Sequence, residues 1–149
     1  MINEKMVKTR IAEILMENDY PVIAQDVKEG FDKPAVFVSV YPSSVSLLTV
    51  DLEQVTDQVE IKYISRTETV EECVNAAEEL RRIFLYRPFT VKDRKLTVQE
   101  IEFDIENNIL YCSFEVTYMQ GTPVEIDADD TIVTLEMGGE SYGITPSVD

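Results

Sequence analysis

Between Thr69 and Tyr86, apolar residues recur at spacings of three and four: Val70, Cys73, Ala77, Leu80 and Phe84. That spacing draws one stripe along a helix. Thr69 followed by Glu72 has the form of a capping box at its start. Glu71 and Glu72 suit the positive end of the helix dipole, and Arg81, Arg82 and Arg87 the negative end. Arg87-Pro88 closes the helix, because a residue before proline is pushed out of the α region. The pairs Glu71-Glu72 and Glu78-Glu79 fall off the stripe and are expected to face water. Nothing on the stripe is equipped for catalysis, so the helix reads as the scaffold against which a sheet packs.

The rest of the chain supplies that sheet. Asn3 to about Asn18 predicts a first helix, with Asn3 as N-cap and Val7, Ile11, Ile14 and Leu15 as its apolar face. Tyr20 to Gln25 fits a short edge strand, where a proline removes no inner ladder bond. Ala35 to Tyr41 is dense in β-branched and aromatic residues, apolar on both faces, and predicts a central strand ended by Pro42-Ser43-Ser44. Val45 to Leu52 fits a strand and a mobile loop equally. Val59, Ile61 and Tyr63 alternate with Gln58, Glu60 and Lys62, the pattern of a half-buried strand. Arg87 to Lys95 reads as a polar connection with a short strand at Phe89–Val91. Leu96 to Ile105 predicts one strand. Glu106-Asn107-Asn108 is a turn, since asparagine tolerates positive φ. Ile109 to Met119 pairs back, with Leu110, Cys112, Phe114, Val116 and Tyr118 on one face.

This order predicts an α+β fold: a mostly antiparallel sheet with two helices packed on one face, plus a C-terminal β-type extension. Residues 1–119 form the domain. Residues 120–149 form an acidic extension or arm, strand-like at TIVTLEM and without a helix.

Charge sharpens the division. The 149 residues carry 13 Lys and Arg against 29 Asp and Glu, a formal net charge of −16. All 13 bases lie in residues 1–95, beside 17 acids, whereas residues 96–149 hold 12 acids and no base. Nothing in that half neutralises phosphates, which disfavours nucleic-acid binding through it. The start, MINEKMVKTR, lacks the apolar core of a secretory signal, and no apolar run is long enough to cross a membrane. The two cysteines, Cys73 and Cys112, fall in apolar patterns and read as reduced core residues of a protein made in the cytoplasm.

The chemical inventory is thin. There is no histidine, which removes the commonest general base and the Ser-His and Cys-His pairs. No CxxC, GxGxxG, P-loop or GxSxG motif occurs. Glu125, Asp127, Asp129 and Asp130, with Glu136 at the twelfth position counted from Glu125, resemble the spacing of a calcium loop. Asp130 stands where that loop needs glycine, and no flanking helices are evident. These five carboxylates are therefore expected to form a solvated or partner-facing strip, an interface and not a metal site. The seven tyrosines, Tyr20, Tyr41, Tyr63, Tyr86, Tyr111, Tyr118 and Tyr142, lack the interleaved bases of a nucleic-acid stacking surface. No catalytic residue, cofactor or metal is expected.

The layout as a whole resembles the tail terminator (tail completion, or head-tail joining) proteins of phages and prophages of Gram-positive bacteria. The likeness rests on the opening helix, on YPVIAQDVKEGFDKPAVFVSV, on the QVEIKYIS strand, on the capped helix and on the final hairpin ending in FEVTYM, and it covers about residues 1–119. It implies a structural virion protein, assembled in the host cytoplasm, that caps the head-proximal end of the tail tube as a hexameric ring. The partners implied are further copies of itself, the tail tube protein, a neck or connector protein and, in contractile tails, the sheath protein. DNA would pass through the ring without being bound specifically. Two other readings fit the residues: another ring of the head-tail connector, and an acidic module that mimics nucleic acid to occupy a basic protein. The extension from Gly121 and the Val45–Gln54 segment are the expected partner surfaces.

Overall fold

A computed structural model describes residues 1–23 and 30–122 of the chain. Helix α1 spans Glu4–Glu17, and the Asn3 side chain caps it by accepting a hydrogen bond from the Met6 N–H at 2.9 Å. Helix α2 spans Val70–Phe84. Thr69 Oγ1 accepts from the Glu72 N–H, which is half of the capping box expected from the Thr-x-x-Glu spacing; the Glu72 carboxylate reaches back past the cap to the Thr67 N–H instead of the Thr69 N–H.

The strands are β1 (Ala35–Thr49), β2 (Leu52–Ile64), β3 (Phe89–Val91), β4 (Arg94–Leu96), β5 (Ile101–Glu106) and β6 (Ile109–Gly121). Four of them form one antiparallel sheet in the order β1-β2-β6-β5, and β3 and β4 form a small separate hairpin. Pairing of Val59 with Phe114 and of Ile61 with Cys112 puts the inward rows of β2 and β6 side by side. Both helices contribute to the core built on that face. Val7, Ile11, Leu15, Cys73, Leu80 and Phe84 join Val36, Val59, Ile61, Leu110, Phe114 and Val116 in one buried cluster. The expected α+β architecture is the observed one.

Several details differ from the sequence expectation. AVFVSVY is the outer part of the sheet and not its centre: β1 is an edge strand. Its second face is apolar because Phe37, with Ala35 and Ile64, packs under Phe31 and Ile23 in a small separate cluster. The Phe31 and Phe37 rings meet edge to face at 5.3 Å. Val22 forms an isolated parallel bridge with Val36, through Ile23 N–H to Val36 C=O at 2.8 Å. The strand foreseen at Tyr20–Gln25 is thus reduced, within the described residues, to one bridge.

Pro42-Ser43-Ser44 does not end β1. A register shift between Pro42 and Ser44 lets the pairing continue to Thr49. A proline is tolerated there because an edge strand has one side free of ladder bonds and a bulge absorbs the missing donor. The ambiguous Val45–Leu52 segment is therefore the end of β1, a turn at Val50-Asp51 and the first residue of β2. The single strand expected over Leu96–Ile105 is split into β4 and β5, with residues 97–100 outside regular structure. On α2, Val70 is 52% exposed, and Ala76 is buried in its place. Val70 is the first helical residue and lies beyond the edge of the sheet that the later turns cover. The 120–149 extension lies outside the described residues from position 123 onward, and β6 carries the domain to Gly121.

Candidate assembly surfaces

From Tyr41 to Val50 every residue is exposed, although β1 continues in regular pairing to Thr49. β2 runs beside it, and β6 beside β2 as far as the Leu52–Gly121 pair. The outer half of β1 and its turn therefore form an exposed arm at the sheet edge, whereas β2 and β6 beside it stay covered through Val55, Asp57, Tyr118 and Gln120. The sequence folds this way because its residues are strand formers around a tight turn, where Thr49 Oγ1 donates to Asp51 Oδ1 at 2.7 Å. Thr56 and Thr117 link their hydroxyls across β2 and β6 at 3.0 Å. Val45 pairs with Val55, and Leu47 with Glu53. Their side chains extend the row that the helices cover further along the sheet, but here no helix covers it. Val45 is 57% and Leu47 66% exposed, and Leu48, Val50, Tyr41 and Met119 are exposed too. Val45 and Leu47 are neighbours in one row of β1, and exposed apolar side chains side by side on a regular scaffold mark a contact surface.

A buried polar cluster anchors the base of the arm. Asp57 lies in the inward row of β2 between Val55 and Val59 and is fully buried. Tyr118 Oη donates to Asp57 Oδ2 at 2.9 Å and lies 3.5 Å from Glu4 Oε2. The Ile2 N–H donates to Gln120 Oε1 at 3.1 Å, and Gln120 Nε2 donates to Glu53 at 3.3 Å. The start of α1 is thereby tied to the last turn of pairing in β6. Burial first, and then the neighbouring Glu4 carboxyl, raise the Asp57 carboxyl to about 7, against the lowering effect of the Tyr118 hydroxyl. Asp57 Oδ1 has no hydrogen-bond partner among the described residues. Burial, with Asp57 second, raises the Tyr118 phenol in turn. The sequence held a signal for this cluster: an acid standing at an apolar phase of a period-two strand.

Beyond the Phe31–Phe37 cluster, the sheet's other face is uncovered among the described residues. Glu60 and Lys62 of β2, Glu102 and Asp104 of β5, and Ser113 and Glu115 of β6 alternate outward, opposite the core. A groove of about 640 Å³ on this face is lined by Gln58, Glu100, Glu102 and Glu115 among others, and by no base. Tyr41 Oη donates to Glu60 at 2.8 Å, and Lys62 lies over the Phe37 ring at 5.5 Å. The face is thus mainly acidic among the described residues, and Lys62 is engaged locally.

No catalytic chemistry emerges among the described residues. Cys73 and Cys112 are buried free thiols, as expected from their apolar settings. Burial pushes Cys112 up to about 12; burial and then Glu72 raise Cys73, whose Sγ donates to the Asn108 carbonyl. Thiols held protonated in this way are not nucleophiles. No group of three or more Cys, Asp or Glu side chains among the described residues is arranged to hold a metal ion, and no helix is long and apolar enough to cross a membrane. Glu125, Asp127, Asp129, Asp130 and Glu136 lie outside the described residues.

A search of curated proteins finds no match to the chain. Comparison with protein families matches the phage tail terminator protein family over residues 6–129. The match takes in both helices, all six strands and the first part of the acidic extension. A match over this much of the chain decides its family: the chain belongs to the phage tail terminator protein family, a structural family of the phage tail and not a family of enzymes.

Proposed function

We propose that the chain closes the head-proximal end of a phage tail tube as a ring of six subunits, ends tube growth and offers the surface to which the neck joins. In a contractile tail the same ring would meet the last sheath ring. Family membership supports the setting. The observation that carries the ring is the arm: the outer half of β1, paired on β2 and braced from beneath by Asp57, Tyr118 and Gln120, which presents Val45, Leu47 and Leu48 to no partner among the described residues. A cyclic ring needs two unlike patches per subunit, each meeting the other on a neighbour. The arm is suited to be one of them.

The open face of the sheet is the surface best fitted to the lumen. Its carboxylates repel phosphate, and a conduit that bound DNA would slow its passage. Neutralising Glu102, Asp104 and Glu115 together to their amides is expected to slow DNA delivery from assembled particles. Ejection kinetics followed by dye uptake check this, and an unchanged rate would remove the lumen assignment.

The reading itself is tested by electron microscopy of particles made without this gene, complemented by the wild-type chain or by a Leu47→Ser, Leu48→Ser variant. Deletion is expected to give overlong or ragged tubes and heads that never join tails. The variant is expected to fold, with circular dichroism unchanged, and to fail to restore normal tails. Tails of normal length and attachment in the deletion would overturn the terminator role. Full rescue by the variant would overturn the role of the arm.

A further inference from the structure

A second groove, of about 310 Å³, lies on the helix side of the molecule between α1 and the β3–β4 hairpin. Lys5, Met6, Thr9, Arg10, Glu13, Val91 and Lys92 line it. Its character is the reverse of the groove on the open face. Met6 and Val91 give it an apolar floor, and three bases stand over it against one acid. In a chain of net charge −16 such a surface is out of keeping with the whole. Arg10 is held in place, with Nε donating to the Thr90 carbonyl at 3.0 Å and Nη1 3.3 Å from Glu13. Lys5 and Lys92 form no ion pair with any other described residue.

The chain carries the complement of this groove. Val124-Glu125-Ile126-Asp127-Ala128-Asp129-Asp130 alternates apolar and acidic residues and contains no base. Laid along the groove, such a stretch sets one row on the apolar floor and the other among the lysines. It is also tethered close by. The last described residue is Thr122, whose N–H donates to the Asp51 carbonyl at 3.2 Å. Two residues earlier, the Gln120 side chain accepts from the Ile2 N–H, and Lys5 lies one turn of α1 further on. Asp130 is eight residues past Thr122, so extended chain at ~3.3 Å per residue gives it a reach of about 26 Å. Docking within one subunit needs no second chain, and a tether this short supplies a local concentration on the order of millimolar.

We propose that the acidic segment Val124–Asp130 docks back, in the same subunit, on the groove between α1 and the β3–β4 hairpin, its carboxylates meeting Lys5 and Lys92. This assignment is independent of the ring and can hold or fail without particles. The test is zero-length carbodiimide coupling of the purified full-length chain, using a mixture of unlabelled and ¹⁵N-labelled protein, followed by mass mapping. Amide spectra of the same chain give a second readout. Links from Lys5 or Lys92 to Glu125, Asp127, Asp129 or Asp130 are expected within single chains. Their yield should fall at least about fivefold between low salt and about 0.5 M salt, where charges are screened within a few ångströms. Neutralising the four acids to their amides in the full chain is expected to shift the amide signals of Met6, Thr9, Val91 and Lys92. Links only between labelled and unlabelled chains would overturn docking within the subunit. Absence of these links together with unmoved amide signals would overturn the site.

Discussion

Replacing Phe84 with alanine is expected to lower the stability of the isolated subunit by about 3–5 kcal/mol, the usual range for an aromatic lost from a tight core. Phe84 is fully buried at the end of α2. Its ring meets Phe89 of β3 edge to face at 6.2 Å and Phe114 of β6 at 5.3 Å. It is therefore the piece that joins the long helix, the small hairpin and the main sheet. For a domain of this size the loss corresponds to a fall in Tm on the order of 10 °C. Urea unfolding followed by circular dichroism measures it. Val70→Ala on the same helix is the control: Val70 is half exposed, and the change should cost no more than about 0.5 kcal/mol. A Phe84→Ala loss below about 1 kcal/mol would mean that the three elements are not held through this ring.

The second large effect is on pH. Asp57 has its folded carboxyl raised to about 7 from an ordinary value of 3.8, chiefly by burial and then by Glu4. A raised acid binds its proton more tightly folded than unfolded, so between those two values the folded chain holds one proton more. Stability therefore falls as pH rises from about 4 to about 7 and levels off above. The total is on the order of 2 kcal/mol once relaxation around the new charge is allowed for. Asp57→Asn keeps an acceptor for Tyr118 and gives Glu4 a permanent donor, without a proton to lose. The variant is expected to flatten the fall and to be the more stable protein at pH 8. Urea midpoints of the two proteins at pH 5 and pH 8 decide it. Parallel curves for both would show that Asp57 is not the group that titrates.

How much of this was legible in the residues varied with how local the cause was. The β5–β6 turn was readable because Asn107 and Asn108 themselves adopt φ of 51° and 63°, and asparagine is the residue that bears this most easily. The two caps at Asn3 and Thr69 were readable for the same reason. The place of β1 in the sheet was not. Apolar residues on both faces have two causes: a central position, or an edge position with a local cover. Phe31 and Ile23 supply the cover from a distance in the chain that periodicity does not see. The continuation past Pro42 was hidden because a proline interrupts a ladder only if its nitrogen faces a partner. Asp57 was hidden by its own conspicuousness: a carboxylate reads as surface until Glu4 and Tyr118 are known to lie beside it. The arm was indicated as the Val45–Gln54 segment before its geometry was known, whereas the acidic residues from Glu125 onward fall outside the described structure.

The strand order has a consequence for how the subunit is made. β6 is the last of the described strands, yet it lies between β2 and β5. While the ribosome is still working on residues before Ile109, β1 and β2 can form their hairpin, but β5 has nothing to pair with and α2 has half of its seat missing. A nascent chain thus keeps its core unfinished almost to Gly121, and the contacts that complete it join residues more than a hundred positions apart, as Ile2 and Gln120 do. Such distant closures are slow to find. The base of the arm is assembled last, because it needs both Glu4 and Tyr118. A product cut short before β6 would have no braced arm to offer a neighbour.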